Sequence, residues 1–445
     1  MNHTENRKPA SGIFYASLRA VDPCDSVKGC ADKIRSAYIN GGFNRLLVAG
    51  FGKAACPMAR ALEEALCELI TDGIVITKYG HCGRQNIEHR AQNTDSKIRT
   101  HEAGHPLPDE NGVKATEEII GLLKSADDKT LIVCLISGGG SALLVSPYEG
   151  ISLSEKQEIT NLLLRAGADI YELNTVRKHI SKVKGGRLAE TAYPARTISL
   201  ILSDVMGDRL DVIASGPTSP DTTTYNDALK VLEKYELMDK SPGNIIEVLQ
   251  KGSRDIVRET PKEGDKIFER VENIIIGSSR TALGAAVKKA EELGFHAEII
   301  SSGLSGEARE AGRWLAIKAK ETAGARGKGQ GARCLISGGE TTVTVKGLGL
   351  GGRNMELALA FAMEIEGVDG MTLLSAGTDG TDGPTDAAGA VVDGETIRKA
   401  KAAGLDPVEY LANNDSYNFF KKIDSLFITG PTGTNVMDLQ IVILD

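Results

Sequence analysis

Short strand candidates, most of them apolar, recur along the first half of this chain, at Arg45–Ala49, Gly73–Thr77, Lys97–His101, Thr130–Ile136 and Arg196–Leu202. Runs such as Thr130–Ile136 are apolar throughout, whereas a strand with one wet face alternates polar and apolar residues. Such runs predict strands covered on both faces. Between them lie helix-length amphipathic segments, Ala54–Leu69, Asn111–Lys124 and Glu155–Ala166. Strand–helix alternation of this kind restricts the chain to an α/β fold with a doubly wound parallel sheet. A charged stretch, Leu237–Glu272, carries Pro242 and Pro261 and reads as an interdomain connection. A second series follows at Asn273–Ile276, His296–Ser301, Arg333–Ser337, Thr341–Val345, Met371–Ser375, Ala388–Val392, Leu426–Thr429 and Leu439–Leu444. Thr341–Val345 comes straight after a tight Gly-Gly-Glu, which predicts an antiparallel neighbour for Arg333–Ser337 and a mixed second sheet. Residues 1–245 and 270–445 are the expected domains, with the first ~40 residues helical and packed on the second. Gly324–Gly331 reads as a surface loop.

The chain has 445 residues, enough for two or three domains. Its net charge of −8, with no dense basic patch, argues against a nucleic-acid partner. The N-terminus is polar and no apolar run reaches the ~18 residues of a membrane span, so neither a signal peptide nor a membrane anchor is expected. Seven cysteines without a CxxC pair give poor support to zinc or a redox dithiol and suggest a reducing, cytoplasmic setting. Cys134 and Cys334 lie inside apolar runs and are expected to be buried.

In an open α/β sheet, ligands bind beyond the carboxyl ends of the strands. Gly50-Phe51-Gly52-Lys53-Ala54-Ala55 follows a strand and opens a helix, with Lys53 adding positive charge. It also satisfies the GxGxxA dinucleotide fingerprint. That fingerprint wants an acid about 20 residues further on. The next strand ends at Lys78, which weakens an NAD reading and leaves an NADP one open. Ser137-Gly138-Gly139-Gly140-Ser141 permits an anion-binding nest, but no Gly-Lys-Ser/Thr ending makes it a Walker A loop. Asn174–Arg187 crowds Arg177, Lys178, His179, Lys182, Lys184 and Arg187 together, a local positive field or simply a solvated basic face. Asp204 follows a buried strand, where it suits a substrate hydroxyl, a metal or a helix cap, and Ile213-Ala214-Ser215-Gly216 comes shortly after. In the second half, Gly351-Gly352-Arg353 sets an arginine after a glycine-rich loop, positioned to reach an anion across a cleft or to sit at the surface. The Gly377–Ala390 loop holds Asp379, Asp382 and Asp386, three carboxylates that suit Mg²⁺ or make local turns. Cys134-Leu135-Ile136-Ser137-Gly138-Gly139 recurs as Cys334-Leu335-Ile336-Ser337-Gly338-Gly339, suggesting one device used twice.

Taken together, Leu135–Leu144, Asn174–Leu188, Ser203–Thr218, Gly351–Glu356 and Gly377–Ala390 resemble, in order, the class II glycerate kinases, glycerate 2-kinases whose C-terminal part is the MOFRL domain. The resemblance spans roughly Phe14 to Leu444. It implies an α/β protein of two domains, a Rossmann-like doubly wound parallel sheet and a C-terminal α/β domain with a mixed sheet, with the active site in the interdomain cleft. It implies ATP-dependent phosphorylation of D-glycerate to 2-phosphoglycerate, with Mg²⁺ as cofactor, small molecules as partners, and a homodimer left open. Lys53, Asp204 and Arg353 would be catalytic. Gly50, Gly52 and Ser137 to Ser141 (Gly138, Gly139, Gly140 between them) would hold the nucleotide phosphates. Arg177, Lys184 and Ser215 would meet the substrate, and Asp379 or Asp386 the metal. Family members have often been labelled hydroxypyruvate reductase, which keeps the NADP-dependent reductase as the alternative.

Overall fold

The computed structural model describes residues 6–82, 96–325 and 331–445. The chain divides into two compact units, Pro23–Ile276 and residues 6–22 with Gly277–Asp445.

The Pro23–Ile276 unit is built on β1 (Arg45–Phe51), β2 (Ile70–Lys78), β3 (Ile98–Ala103), β4 (Thr130–Ile136), β5 (Arg196–Leu202) and β6 (Val271–Gly277). Their order is β3-β2-β1-β4-β5-β6, and β1 to β5 run parallel. Every residue of β4 is buried. Alternate side chains enter opposite cores. Leu47, Ala49, Phe51, Ile132, Cys134 and Ile136 join one, while Leu46, Val48, Leu131, Val133 and Leu135 join the other. That two-sided burial is why these runs carry no polar alternation. The chain winds outward from β1 through β2 to β3, then returns to β4 and winds the other way. β1 and β4 therefore flank the switch point, where a crevice opens beyond the strand ends.

One strand falls elsewhere than the sequence suggested. Asn273–Ile276, read as opening the second series, lies in the sixth strand of the first sheet. Ile274 and Ile276 pack on the core that holds Leu46 and Val48.

The other unit carries β7 (His296–Leu304), β8 (Arg333–Gly339), β9 (Met371–Gly377), β10 (Gly389–Asp393), β11 (Leu426–Phe427) and β12 (Asp438–Leu444) in the order β11-β10-β9-β12-β8-β7. β7 and β8 are parallel and the remaining pairs antiparallel, so the sheet is mixed as expected. The antiparallel neighbour of β8 is not Thr341–Val345 but β12, with Ile336 opposite Ile441. Gly339 ends β8 at φ +154°, where a Cβ would lie 2.1 Å from the Leu304 carbonyl oxygen. The chain leaves the sheet there, and Thr342 makes only a single bridge to Glu307. The Arg7–Ala20 helix belongs to this unit, with Ile13 and Phe14 in its core and Phe14 edge-on to Phe427 at 5.2 Å. Residues 326–330 of the expected surface loop lie outside the described residues.

Candidate active site

The two loops at the switch point are stitched together by their own backbones. Lys53 N–H donates to the Gly138 carbonyl at 2.8 Å, Ser137 N–H to that of Phe51 at 3.1 Å, and Ala54 N–H to Ser137 Oγ at 3.0 Å. Gly52, at φ +127°, is required by this approach, since a Cβ there would sit 2.2 Å from Ser137 Oγ. The stitching puts Lys53 beside Gly139, its Cγ 3.3 Å from where a Gly139 Cβ would stand. His105 approaches the same point, Cδ2 at 3.0 Å and Nε2 at 3.1 Å. Asp204 lies over Gly138, its Oδ2 2.3 Å from a Cβ built there. Lys53, His105 and Asp204 thus converge on one glycine pair.

Positive charge bears on His105. Burial, then Lys53, Lys78 and His81, hold the His105 imidazole down at about 4, neutral near pH 7. Burial and Lys78 also lower His81. Neither histidine emerges from the sequence reading. Gly104-His105-Pro106 follows β3 directly, so the strand-end rule that found Lys53 and Asp204 would have found His105 as well.

Two candidate glycines have a packing role. Gly50 is inside β1 rather than in a turn, and a Cβ would meet Val75 Cγ1 at 2.7 Å and Leu135 Cβ at 3.1 Å. Its place in a dinucleotide fingerprint therefore has a simpler cause. A Cβ on Gly140 would meet Ala214 Cβ at 2.9 Å and Phe51 Cδ2 at 3.0 Å.

The cations of Asn174–Arg187 sort by their partners. Capping boxes at Ser152–Glu155 and Asp169–Glu172 start the Leu153–Arg165 and Ile170–His179 helices. On the second helix, buried Lys178 pairs with buried Asp221 at 3.0 Å and buried His179 with half-buried Glu259 at 2.9 Å. Arg187 donates to Ser181 O and Tyr225 Oη, and Lys182 reaches Glu117 at 3.8 Å. These are structural contacts. Arg177 has no hydrogen bond or ion pair among the described residues, and Lys184 Nζ is buried without a partner. Burial lowers Arg177 to about 10 and, with the charges of Lys156 and Arg177, takes Lys184 well below the usual lysine range. Ser215 connects this group to the glycine loop. Its Oγ donates to Asn174 Oδ1 at 3.0 Å and so accepts from Ser141 Oγ at 2.9 Å. Ala214, Ser215 and Gly216 all have positive φ (51°, 64° and 64°), a strained run held within buried surroundings.

In the other unit, Arg353 is pinned rather than free to reach out. Its Nε and Nη2 donate to Asp438 Oδ2 and Oδ1 at 2.6 and 3.0 Å, and Nη1 to Glu340 at 2.6 Å. The Asp438 side chain is 1% exposed and that of Glu340 50%. Asp382 accepts from the N–H groups of Asn354 and Met355 at 3.1 and 2.8 Å, so it caps the Arg353–Glu364 helix, and burial raises it to about 7. The metal expectation fares differently. Asp379 accepts from Thr381 N–H at 3.1 Å in a local turn, and Asp386 from Tyr417 Oη at 2.8 Å. No group of three or more acidic, histidine or cysteine side chains able to hold a metal forms among the described residues. Each of the loop's aspartates is occupied within its own surroundings.

Cys134 and Cys334 are buried, their thiols pushed up to about 12 by desolvation. Cys56, in the first turn of the helix after Lys53, is disulfide-bonded to Cys82, against the reading of cysteine usage as a sign of a reducing compartment. A 26-residue separation hid a pair that β2 brings together. No described helix is long and apolar enough to cross a membrane.

Two family models match the chain, Domain of unknown function (DUF4147) over residues 9–250 and MOFRL family over 333–438. The D-glycerate 2-kinase of Thermotoga maritima is 48% identical over 98% of this chain and 97% of its own. The glycerate 2-kinase of Pyrococcus horikoshii is 42% identical over 96% and 95%. A crystal structure of a Thermotoga maritima glycerate kinase superposes with a TM-score of 0.89 at 46% identity, covering 99% of this chain and all of that one.

Proposed function

The chain belongs to the glycerate kinase family that ends in a MOFRL domain, and from that premise we propose that it transfers the terminal phosphoryl group of ATP to D-glycerate, giving 2-phosphoglycerate. The observation that carries the reading is the convergence of Lys53, His105 and Asp204 on Gly138 and Gly139 at the switch point. Phosphoryl transfer needs charge stabilisation and in-line positioning more than covalent help. Gly138 to Ser141, with Gly52 and Ser137 fixing the approach, cradle the nucleotide phosphates. Lys53 stabilises charge on the moving group. Asp204 orients the acceptor hydroxyl and takes its proton. Arg177, Lys184 and Ser215 hold the acceptor's carboxylate. Arg353 takes part through Nη1, whose half-exposed partner Glu340 is exchangeable for phosphate, while Asp438 holds the rest of the fork.

Mg²⁺ enters as part of the substrate, since it is held largely by phosphate oxygens and water with one or two carboxylates. Asp379 and Asp386 belong to no metal-holding group among the described residues. EDTA is expected to abolish turnover while leaving the melting temperature of the nucleotide-free protein unchanged. A cytoplasmic enzyme suits its nucleotide, and thiol labelling of Cys56 and Cys82 in fresh extract checks that placement.

The test is direct. Protein, D-glycerate and Mg²⁺-ATP release ADP, and phosphorus NMR of the product shows the 2- rather than the 3-phosphate. Consumption of NADPH with hydroxypyruvate, and no ADP, would overturn the proposal.

A further inference from the structure

Lys156 stands on the Leu153–Arg165 helix, outside every motif that drew attention in the sequence. It is 4% exposed and its Nζ has no hydrogen-bond partner among the described residues. Lys184 Nζ shares that condition. The charge acting on Lys156 is that of Arg177, and the charges acting on Lys184 are those of Lys156 and Arg177, with no acid among them. The acids of that helix and of the next are engaged or turned outward: Glu155 caps at Ser152, Glu158 is exposed, and Glu172 pairs with Lys234. Three basic side chains from two helices and a following loop thus feel one another's charge, and the two lysines among them are buried without a partner.

An unpaired buried cation is costly, and three together repel one another as well. Packing alone is served better by an apolar side chain of the same length. An arrangement that loses stability in the empty protein and recovers it when an anion enters is the signature of a binding site. Its place in the fold says what enters. Arg177 is one turn beyond Asn174 on the same helix, and Asn174 is joined through Ser215 to Ser141, the residue that closes the glycine loop. An anion among these cations lies next to the site proposed for the phosphates, on the side served by Arg177 and Lys184.

We propose that Lys156 is the third arm, with Arg177 and Lys184, of a pocket that binds the carboxylate of the acceptor substrate. This rests on the glycerate kinase reading. Burial and Arg177 bring Lys156 down to about 7, so at pH 8 it is mostly neutral in the empty protein. Entry of a carboxylate restores the charged form, and binding at that pH takes up a proton from the buffer.

The experiment uses full-length Lys156→Met, with Lys184→Met as a second variant in case the first does not fold. The empty variant melts about 2–4 °C higher than wild type, since it has lost an unpaired charge rather than a structural contact. KM for D-glycerate rises about tenfold or more, as expected for a hydrogen bond to a charged group. KM for ATP stays within about twofold, and proton uptake on D-glycerate binding at pH 8, measured by calorimetry in two buffers, disappears. An unchanged KM for D-glycerate in a folded variant overturns the inference. So does a rise confined to KM for ATP, which would place a nucleotide phosphate there instead. Absence of turnover in the wild type defeats the kinase reading alone. Calorimetric binding of D-glycerate that is lost in Lys156→Met would then still uphold the anion pocket.

Discussion

Gly138→Ala separates catalysis from stability at the switch point. Gly138 does not have positive φ, so alanine adds no backbone strain. The new methyl would stand 2.3 Å from Asp204 Oδ2, 2.9 Å from its Cγ and 3.4 Å from its Cβ. Ordinary contact begins near 3.4 Å, so the carboxylate oxygen must retreat by about 1.1 Å. The clash is with the end of a side chain, and a rotamer adjustment of about 0.5–1.5 kcal/mol relieves it. The melting temperature should therefore fall by only a few degrees. A displacement of about 1 Å in a group that positions a reactant costs about 10²-fold in rate, about 2.7 kcal/mol. A coupled ADP assay on the variant should show kcat down about 10²-fold, with KM for ATP little changed. Asp204→Asn should show a similar loss, and the double variant little more than either alone, because both disable one function. A folded Gly138→Ala enzyme with kcat within about threefold of wild type refutes the role given to Asp204.

Arg353→Ala should lower the unfolding free energy in urea by about 3 kcal/mol, because it strands the buried Asp438 carboxylate, whereas Glu340→Gln at a half-exposed pair should cost under about 1 kcal/mol. An Arg353→Ala protein as stable as wild type removes the clamp from the account. His105 titrates near 4 when folded and about 6.5 when unfolded, so the unfolded chain binds more protons between those values. Stability then rises with pH from about 4 to 6.5 and His105→Asn should flatten part of that rise in thermal melts, while an unaltered slope contradicts it. Reducing Cys56–Cys82, which closes a 26-residue separation, should cost about 3.5 kcal/mol on the loop-entropy model, and an identical melt with and without reductant would deny the bond any role in stability.

The central strands of the first sheet were legible because two-sided burial leaves an unmistakable apolar run. β4 and β5 have the bounds read from the sequence, Thr130–Ile136 and Arg196–Leu202. Strand partners were less legible than the strands, because neighbours are chosen by tertiary packing. Asn273–Ile276 offers the same apolar pattern to either sheet, and Thr341–Val345 has good strand propensity but a glycine before it that turns the chain away. In the site, Lys53 and Asp204 were found because they end strands. His105 ends one too, yet a lone histidine before proline carries no pattern of its own. Lys156 was invisible for a different reason. On a helix, a lysine reads as a solvated charge, and only the fold shows that this one is buried with no hydrogen-bond partner among the described residues.

The repeated hexamer shows how far a motif reaches before its neighbours decide its use. Both copies end a buried strand, and in both the glycines permit an approach that a Cβ would block. In the first, what approaches is chemical, namely Asp204 at Gly138, with His105 and Lys53 at Gly139. In the second, it is structural. A Cβ on Gly338 would meet Ser279 Oγ at 3.1 Å and Leu283 Cδ2 at 3.2 Å, and one on Gly339 would meet the Leu304 backbone. The serines diverge in the same way. Ser137 Oγ accepts from Ala54 N–H and fixes the Lys53 turn, whereas Ser337 Oγ donates to Gln440 inside the second sheet. The difference follows from topology. The first copy ends β4 at a switch point, where two loops diverge and leave a crevice, while the second ends β8 between β7 and β12, where neighbouring strands fill the space. Alanine at Gly339 should therefore cost folding, through a collision with backbone that cannot move aside, and alanine at Gly138 should cost turnover.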